Sequence, residues 1–145
     1  MSVTAESGGS LIAFGQSGEE FRSVDDGLNW SPVDTGTKDV ALFTTVEQDH
    51  TILAAGDEGT ILRSVDGGAS WSQQYRERNF TVVELLRGPP GTVLAIGNYH
   101  VHSDFLGLMA RSTDGGITWS KVKDFGTKRR LVGVAYVPDG TAPNK

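Results

Sequence analysis

One eight-residue motif occurs three times in the chain and constrains its fold more than any other feature. It reads Ser-x-Asp-x-Gly-x-x-Trp, and successive copies lie 41 and 48 residues apart. Its residues are Ser23, Asp25, Gly27 and Trp30 in the first copy, Ser64, Asp66, Gly68 and Trp71 in the second, and Ser112, Asp114, Gly116 and Trp119 in the third. Self-similarity at this period predicts a repeat architecture, in which each copy is one unit that packs on its neighbours.

The similarity extends upstream of the motif into short apolar segments. Residues 10–15, 51–56 and 92–97 align without gaps, and in the second unit four segments follow one another at 39–47, 51–56, 60–65 and 69–73. They are rich in Val, Ile, Leu and Thr and are bounded by Gly, Asp or Pro, which is typical of strands in an antiparallel meander. Because no stretch sustains a 3.6-residue apolar period, we expect little helix.

The motif has a physical rationale as a tight turn between two strands. Ser and Asp side chains accept hydrogen bonds from backbone N–H groups ahead of them in the chain. The Gly can adopt the positive φ that tight hairpins need. We therefore expect each motif to join the third and fourth strands of a unit, with the Trp starting the fourth strand and covering the turn.

These residues resemble the Asp-box, or BNR, repeat. Residues 56–71, GDEGTILRSVDGGASW, are most similar in style to the repeats of photosystem II assembly factor-like proteins, and sialidases and sortilin-type receptors share the box. The resemblance implies an all-β fold, made of β-propeller blades of four antiparallel strands each. It also implies that the box residues are structural and lie on the outer rim of the propeller.

The phase of the repeat predicts three blades' worth of strands in a single domain, 1–145, with one blade split between the termini. The boundaries are a partial blade at 1–36, blades at 37–78 and 79–126, and a completing strand within 127–145. In this interpretation the chain starts at a second strand, 11–15. Residues 131–140, which align on 82–91, supply the missing first strand. Residues 3–5 are a candidate remnant of that strand.

Propellers have four to eight blades, so three blades need completion. Two chains can form a six-bladed ring as a homo-oligomer, the chain can dock on another protein, or it can be a piece of a longer one. An open arc would otherwise expose strand edges and apolar faces.

The motif carboxylates recur once per unit, so we interpret them as turn-stabilising and predict no catalytic residue. Arg22, Arg63 and Arg111 also recur, unlike the non-equivalent arginines that hold a carboxylate in sialidases. The sequence therefore favours a non-catalytic protein-binding or scaffold module, and the resemblance implies an assembly-factor role. The alternatives are a structural accessory subunit of a larger particle, such as a phage virion or tail, and a glycan-binding or sialidase-like hydrolase.

The third unit carries an insertion of about seven residues around 98–105, where repeat proteins often add a binding surface. Tyr99, His100, His102 and Phe105 form our candidate partner-binding loop. If the segment is extended, His100, His102 and Asp104 project to one side and make a weak candidate metal site. A solvated loop is the alternative interpretation, and we expect no cofactor.

Composition excludes several classes of function. The chain has no Cys, which excludes disulfides and thiolate metal sites. Its formal net charge of −5 argues against a nucleic-acid partner. Its apolar runs are too short to cross a bilayer. The N-terminal residues lack the basic and apolar regions of a signal peptide, so we expect a protein that is cytoplasmic or assembled into a particle.

Overall fold

The computed structural model describes residues 2–5, 9–102 and 104–124, and only the backbone of residues 2–5 and 123–124. These residues form three four-stranded antiparallel sheets, which we call blades one to three. Blade one contains β1 (Ser2–Ala5), β2 (Leu11–Phe14), β3 (Glu20–Ser23) and β4 (Ser31–Val33). Blade two contains β5 (Leu42–Gln48), β6 (Thr51–Gly56), β7 (Ile61–Ser64) and β8 (Ser72–Tyr75). Blade three contains β9 (Phe80–Arg87), β10 (Val93–Val101), β11 (Asp104–Ser112) and β12 (Ser120–Asp124).

In each blade, strands that are consecutive in the chain are neighbours in the sheet. The first strands of consecutive blades are in contact: β1 contacts β5, and β5 contacts β9. This arrangement confirms the predicted all-β fold of propeller-type blades. The described residues contain no α-helix, only a short 3-10 turn at Asp57–Gly59.

The core lies between the blades. Side chains alternate across a strand, and in blade two both faces of the sheet are covered. Ile52 packs towards blade one and Leu53 towards blade three, and both are buried. Burial on both faces explains why β6 reads as a continuous apolar run. We call the face of a blade that points to the next blade its leading face, and the opposite face its trailing face.

The first strand of blade one is supplied by the N-terminus itself. Residues 3–5, a candidate remnant of a missing strand, belong to β1, which pairs with β2 in the register Val3 to Ala13. The chain therefore does not start at a second strand, because the β1 segment already completes the sheet at that edge. The completing strand predicted at 131–140 lies outside the described residues.

Two further details differ from the sequence prediction. The fourth strands begin one residue after each Trp, at Ser31, Ser72 and Ser120. The insertion at 98–105 lengthens the hairpin of β10 and β11 instead of forming a separate loop. Pairing continues to Val101 opposite Asp104 because the inserted residues extend both strands equally.

Candidate functional site

The Asp box of blade two is a closed set of hydrogen bonds around one turn. The Ser64 hydroxyl donates to Asp66 Oδ1 at 2.8 Å and accepts from the Gly68 N–H at 2.9 Å. Asp66 Oδ1 also accepts from the Ser70 N–H at 2.9 Å. The turn thus satisfies its own backbone donors locally, as the sequence predicted.

The other two boxes repeat these bonds. Ser23 with Asp25, and Ser112 with Asp114, make the same contacts at 2.8 and 2.7 Å. Two hydrogen bonds from Thr118 lower the pKa of Asp114 to about 2, and the bond from its hydroxyl has a larger effect than the bond from its backbone N–H. Bonds from Asn29 and from Ser70 likewise lower the pKa of Asp25 and of Asp66. These carboxylates are ionised acceptors of turn hydrogen bonds, which suits a structural role.

The three motif tryptophans do not make identical contacts. Trp30 Nε1 donates to the Gly27 carbonyl and Trp119 Nε1 to the Gly116 carbonyl, both at 3.0 Å. Trp71 instead sets its ring edge-on to Phe14 of blade one, with 5.6 Å between centroids. Its Nε1 has no hydrogen-bond partner among the described residues. Trp71 therefore helps to hold blades one and two together.

Two of the three recurring arginines join their blade to the box of the next blade. Arg22 Nε donates to the Gly67 carbonyl at 2.6 Å, and Arg63 Nε donates to the Gly115 carbonyl at 3.2 Å. The sequence identified these arginines as a repeat feature but gave no partner, since the partner is about one unit away in the chain. Their role in the structure is to hold neighbouring blades in register.

Glu20 is a buried acid that sequence analysis did not single out. It is 1% exposed, and neither carboxyl oxygen has a hydrogen-bond partner among the described residues. Burial raises the pKa of Glu20 to about 8, and the positive charge of Arg22 offsets that rise only in part. Glu20 occupies the repeat position of Ile61 and Met109. This correspondence in the sequence indicates that its side chain faces the next blade.

The lengthened hairpin of blade three divides three of the four predicted partner-binding residues between its two faces, and the fourth, His102, lies in its turn. His100 pairs with Phe105, and their rings pack edge to face with 4.6 Å between centroids. Tyr99 pairs with Leu106 and therefore faces the other way. On that side the Lys121 ammonium lies 5.4 Å from the Tyr99 ring centroid. Tyr99 and His100 therefore lie on opposite faces of the hairpin.

The candidate metal site does not form. Among residues 9–102 and 104–124, no group of three His, Asp or Glu side chains is placed to hold a metal ion. His102 lies in the turn with a φ of 54°, which breaks the alternation that would have aligned it with His100 and Asp104.

An open groove of about 360 Å³ lies beside the lengthened hairpin, where the linker between blades two and three passes β9. Its lining residues are Asp39, Asp57, Glu58, Arg78, Asn79, Phe80, Thr81 and His100. The Thr81 hydroxyl donates to Asp57 Oδ1 at 3.2 Å, and the His100 N–H donates to the Asn79 carbonyl at 2.6 Å. Arg76 forms an ion pair with Glu58, and its hydrogen bond lowers the pKa of that carboxyl.

Comparison with known proteins agrees with this architecture. The family model described as BNR/Asp-box repeat matches residues 110–121, the third motif and its flanks. The third motif of the chain is an Asp-box repeat. The resemblance inferred from the sequence is thereby confirmed for the repeat, and no curated protein matches the chain.

Solved structures that are similar to the chain include two of YCF48. One is described as YCF48 bound to D1 peptide: it is 19% identical with a TM-score of 0.65, and the match covers 83% of this chain and 38% of that one. The other is YCF48 from Cyanidioschyzon merolae, at 15% identity and a TM-score of 0.44, with 84% and 58% covered. At such identities the likeness to the first shows the fold. The chain thus spans well under half the length of the peptide-bound structure.

Within the part of the chain that the structure describes, no helix is long and apolar enough to cross a membrane.

Proposed function

We propose that this chain is a non-catalytic β-propeller module that binds an extended segment of a partner protein. The observation that carries the proposal is the lengthened hairpin of blade three. β10 and β11 have 9 residues each, whereas the equivalent β6 and β7 of blade two have 6 and 4. Departures from a repeat are where repeat proteins place their binding surfaces.

The groove beside that hairpin has the chemistry to hold a polypeptide. It offers carboxylates from Asp39 and Asp57, a guanidinium from Arg78, and the His100 imidazole next to the Phe105 ring. Polar groups of both signs around an aromatic contact suit main-chain amides and mixed side chains. The peptide bound to YCF48 in a chain of the same fold supports this class of partner.

The proposed absence of catalysis has two supports. The box carboxylates already accept hydrogen bonds within their turns, so they are not free to exchange protons with a substrate. Glu20 has the raised pKa often seen in catalytic acids, but it is enclosed between blades one and two. An acid that substrate cannot reach does not serve as a proton donor to it.

We also propose that further blades complete the module. The described residues supply three blades, and propellers have four to eight. An assembly-factor role, in which a finished propeller holds a segment of another protein during construction of a complex, fits both the groove and the YCF48 likeness.

The test is a selection of random linear peptides on the immobilised protein, with counter-selection on the double variant Arg78→Ala, His100→Ala. Enriched peptides and the D1 peptide are then measured by fluorescence anisotropy. We expect saturable binding to the wild type, at least about tenfold weaker binding to the double variant, and unchanged binding to the outer-strand control Gln73→Ala. Failure to enrich any peptide that prefers the folded wild type contradicts the proposal.

A further inference from the structure

The two blade-to-blade joints in the structure share one design. In each joint, an arginine of β3 or β7 donates to a carbonyl of the next box: Arg22 to Gly67, and Arg63 to Gly115. The same design therefore holds blade one on blade two and blade two on blade three.

Each joint also inserts one apolar side chain against a box glycine. A Cβ on Gly68 would lie 2.4 Å from Ile12 Cδ1, and a Cβ on Gly116 would lie 2.6 Å from Leu53 Cδ2. Ile12 is the cross-strand partner of Arg22, as Leu53 is of Arg63. In each joint, the leading face of one blade thus contributes an arginine and an aliphatic residue. The next blade contributes a backbone carbonyl that accepts from the arginine and a glycine against which the aliphatic residue packs.

Blade three presents the donor half of this joint, and no described residue receives it. Arg111 and Leu94 are cross-strand partners at the equivalent positions. Arg111 is exposed and makes no side-chain hydrogen bond with any described residue, and Leu94 is half-buried where Ile12 and Leu53 are buried. Within the described part of the chain, the leading face of blade three has no partner, although it repeats an interface that is used twice there.

Blade one presents the acceptor half. Gly27 is half-buried where Gly68 and Gly116 are buried, and no side chain of another blade lies within 4 Å of where its Cβ would be. Phe21 is 43% exposed, whereas Leu62 and Ala110 at the same repeat position are fully buried. Among residues 9–102 and 104–124, no neighbouring blade covers the trailing face of blade one as blades one and two cover those of blades two and three.

The two open faces are also complementary in charge. The carbonyl that would receive Arg111 is that of Asp26, in the position held by Gly67 and Gly115 in the other boxes. Asp26 is exposed and has a φ of 58°, a conformation that favours glycine. Of the three boxes, only the first therefore has an acidic side chain on the residue that carries this carbonyl, and that side chain is exposed.

We propose that the leading face of blade three docks on the trailing face of blade one of a second copy of the chain. The contact is head-to-tail, so two copies make it twice and close a ring of six blades. This inference rests on the proposed completion of the module by further blades, but not on the peptide groove. Continuity with the internal joints and the Arg111–Asp26 charge pair select a second copy as the occupant.

The experiment exchanges the charges across the joint. Arg111→Glu places two acids in each contact between identical copies, and Asp26→Arg places two bases there. In a mixture of the two variants, however, both contacts of a ring pair opposite charges. Sedimentation velocity is expected to give a dimer mass for the wild type, a monomer mass for each variant alone, and a dimer mass for their equimolar mixture.

Three controls keep the result interpretable. Circular dichroism checks that each variant is folded. Phe21→Ser removes exposed apolar surface from the trailing face without changing charge, and it too should give monomer. Arg78→Glu changes an exposed charge in the groove, and it should keep the dimer mass while weakening peptide binding.

A monomeric wild type, a dimer that persists in either single variant, or a mixture that stays monomeric overturns the proposal. A monomer that still binds the selected peptides would leave the proposed function standing, so that the two failures are distinguishable.

Discussion

At the scale of single residues, the clearest division is between acids that hold turns and one acid that is enclosed. Asp25, Asp66 and Asp114 accept short-range hydrogen bonds, which keep their pKa values below the ordinary range. Glu20 stands where the other repeats have Ile61 and Met109, and its carboxyl holds its proton at neutral pH because burial disfavours the charge. Acidic side chains thus have lowered pKa values in the Asp-box turns and a raised pKa between blades one and two.

Glu20 makes the stability of the fold depend on pH. With a pKa of about 8 in the folded protein, against an ordinary value of 4.5, unfolding releases a proton anywhere between those two values. The free energy of unfolding should therefore fall as pH rises from 5 to 8, by roughly 1 kcal/mol per pH unit. Glu20→Met should flatten this dependence and raise stability at pH 8 by about 2 kcal/mol.

Urea unfolding at a series of pH values measures this effect. Glu19→Met, the same change one residue earlier on an exposed side chain, should leave the pH dependence of the wild type in place. A Glu20→Met protein with an unchanged slope would mean that Glu20 is ionised in the folded state.

At the scale of elements, the Asp-box turn has two jobs. It reverses the chain between the third and fourth strands, and its second glycine leaves room for a side chain of the preceding blade. Gly68 has a φ of +76°, and a Cβ there would overlap Ile12. Gly115 has a φ of +71°, but no atom lies within 4 Å of where its Cβ would be.

This pair separates backbone strain from crowding. Both Gly68→Ala and Gly115→Ala force alanine into the left-handed region, at a cost of about 1 kcal/mol each. Gly68→Ala should lose a further 1–3 kcal/mol, roughly, because Ile12 must move. Thermal unfolding of the two variants tests this, and equal melting temperatures would refute the role of Gly68 as a socket between blades.

The sequence was sufficient to predict the contacts between residues that are close together in the chain. The hydrogen bonds of the Asp box span at most four residues, so Ser64, Asp66 and Gly68 could be assigned from their spacing. The partner of Arg22 lies 45 residues away, and no local pattern reveals it. The sequence around Tyr99 and His100 is compatible with an extended segment and with a solvated loop. Only the pairing of β10 with β11 shows that they lie on opposite faces.

At the scale of the whole molecule, the proposed docking of one copy on another follows from the repeat. Among the described residues, similar joints between blades one, two and three leave a donor face on blade three and an acceptor face on blade one. An array of this kind either binds further blades or exposes apolar surface such as Phe21 and Leu94 to water. Completion by a second copy uses contacts already present twice in the chain.

Small-angle X-ray scattering of the wild type on an absolute scale tests this claim most directly, because it gives mass and shape together. The account predicts a mass of twice 15.5 kDa and the distance distribution of a closed disc. A particle of 15.5 kDa with the profile of an open three-bladed arc would contradict it.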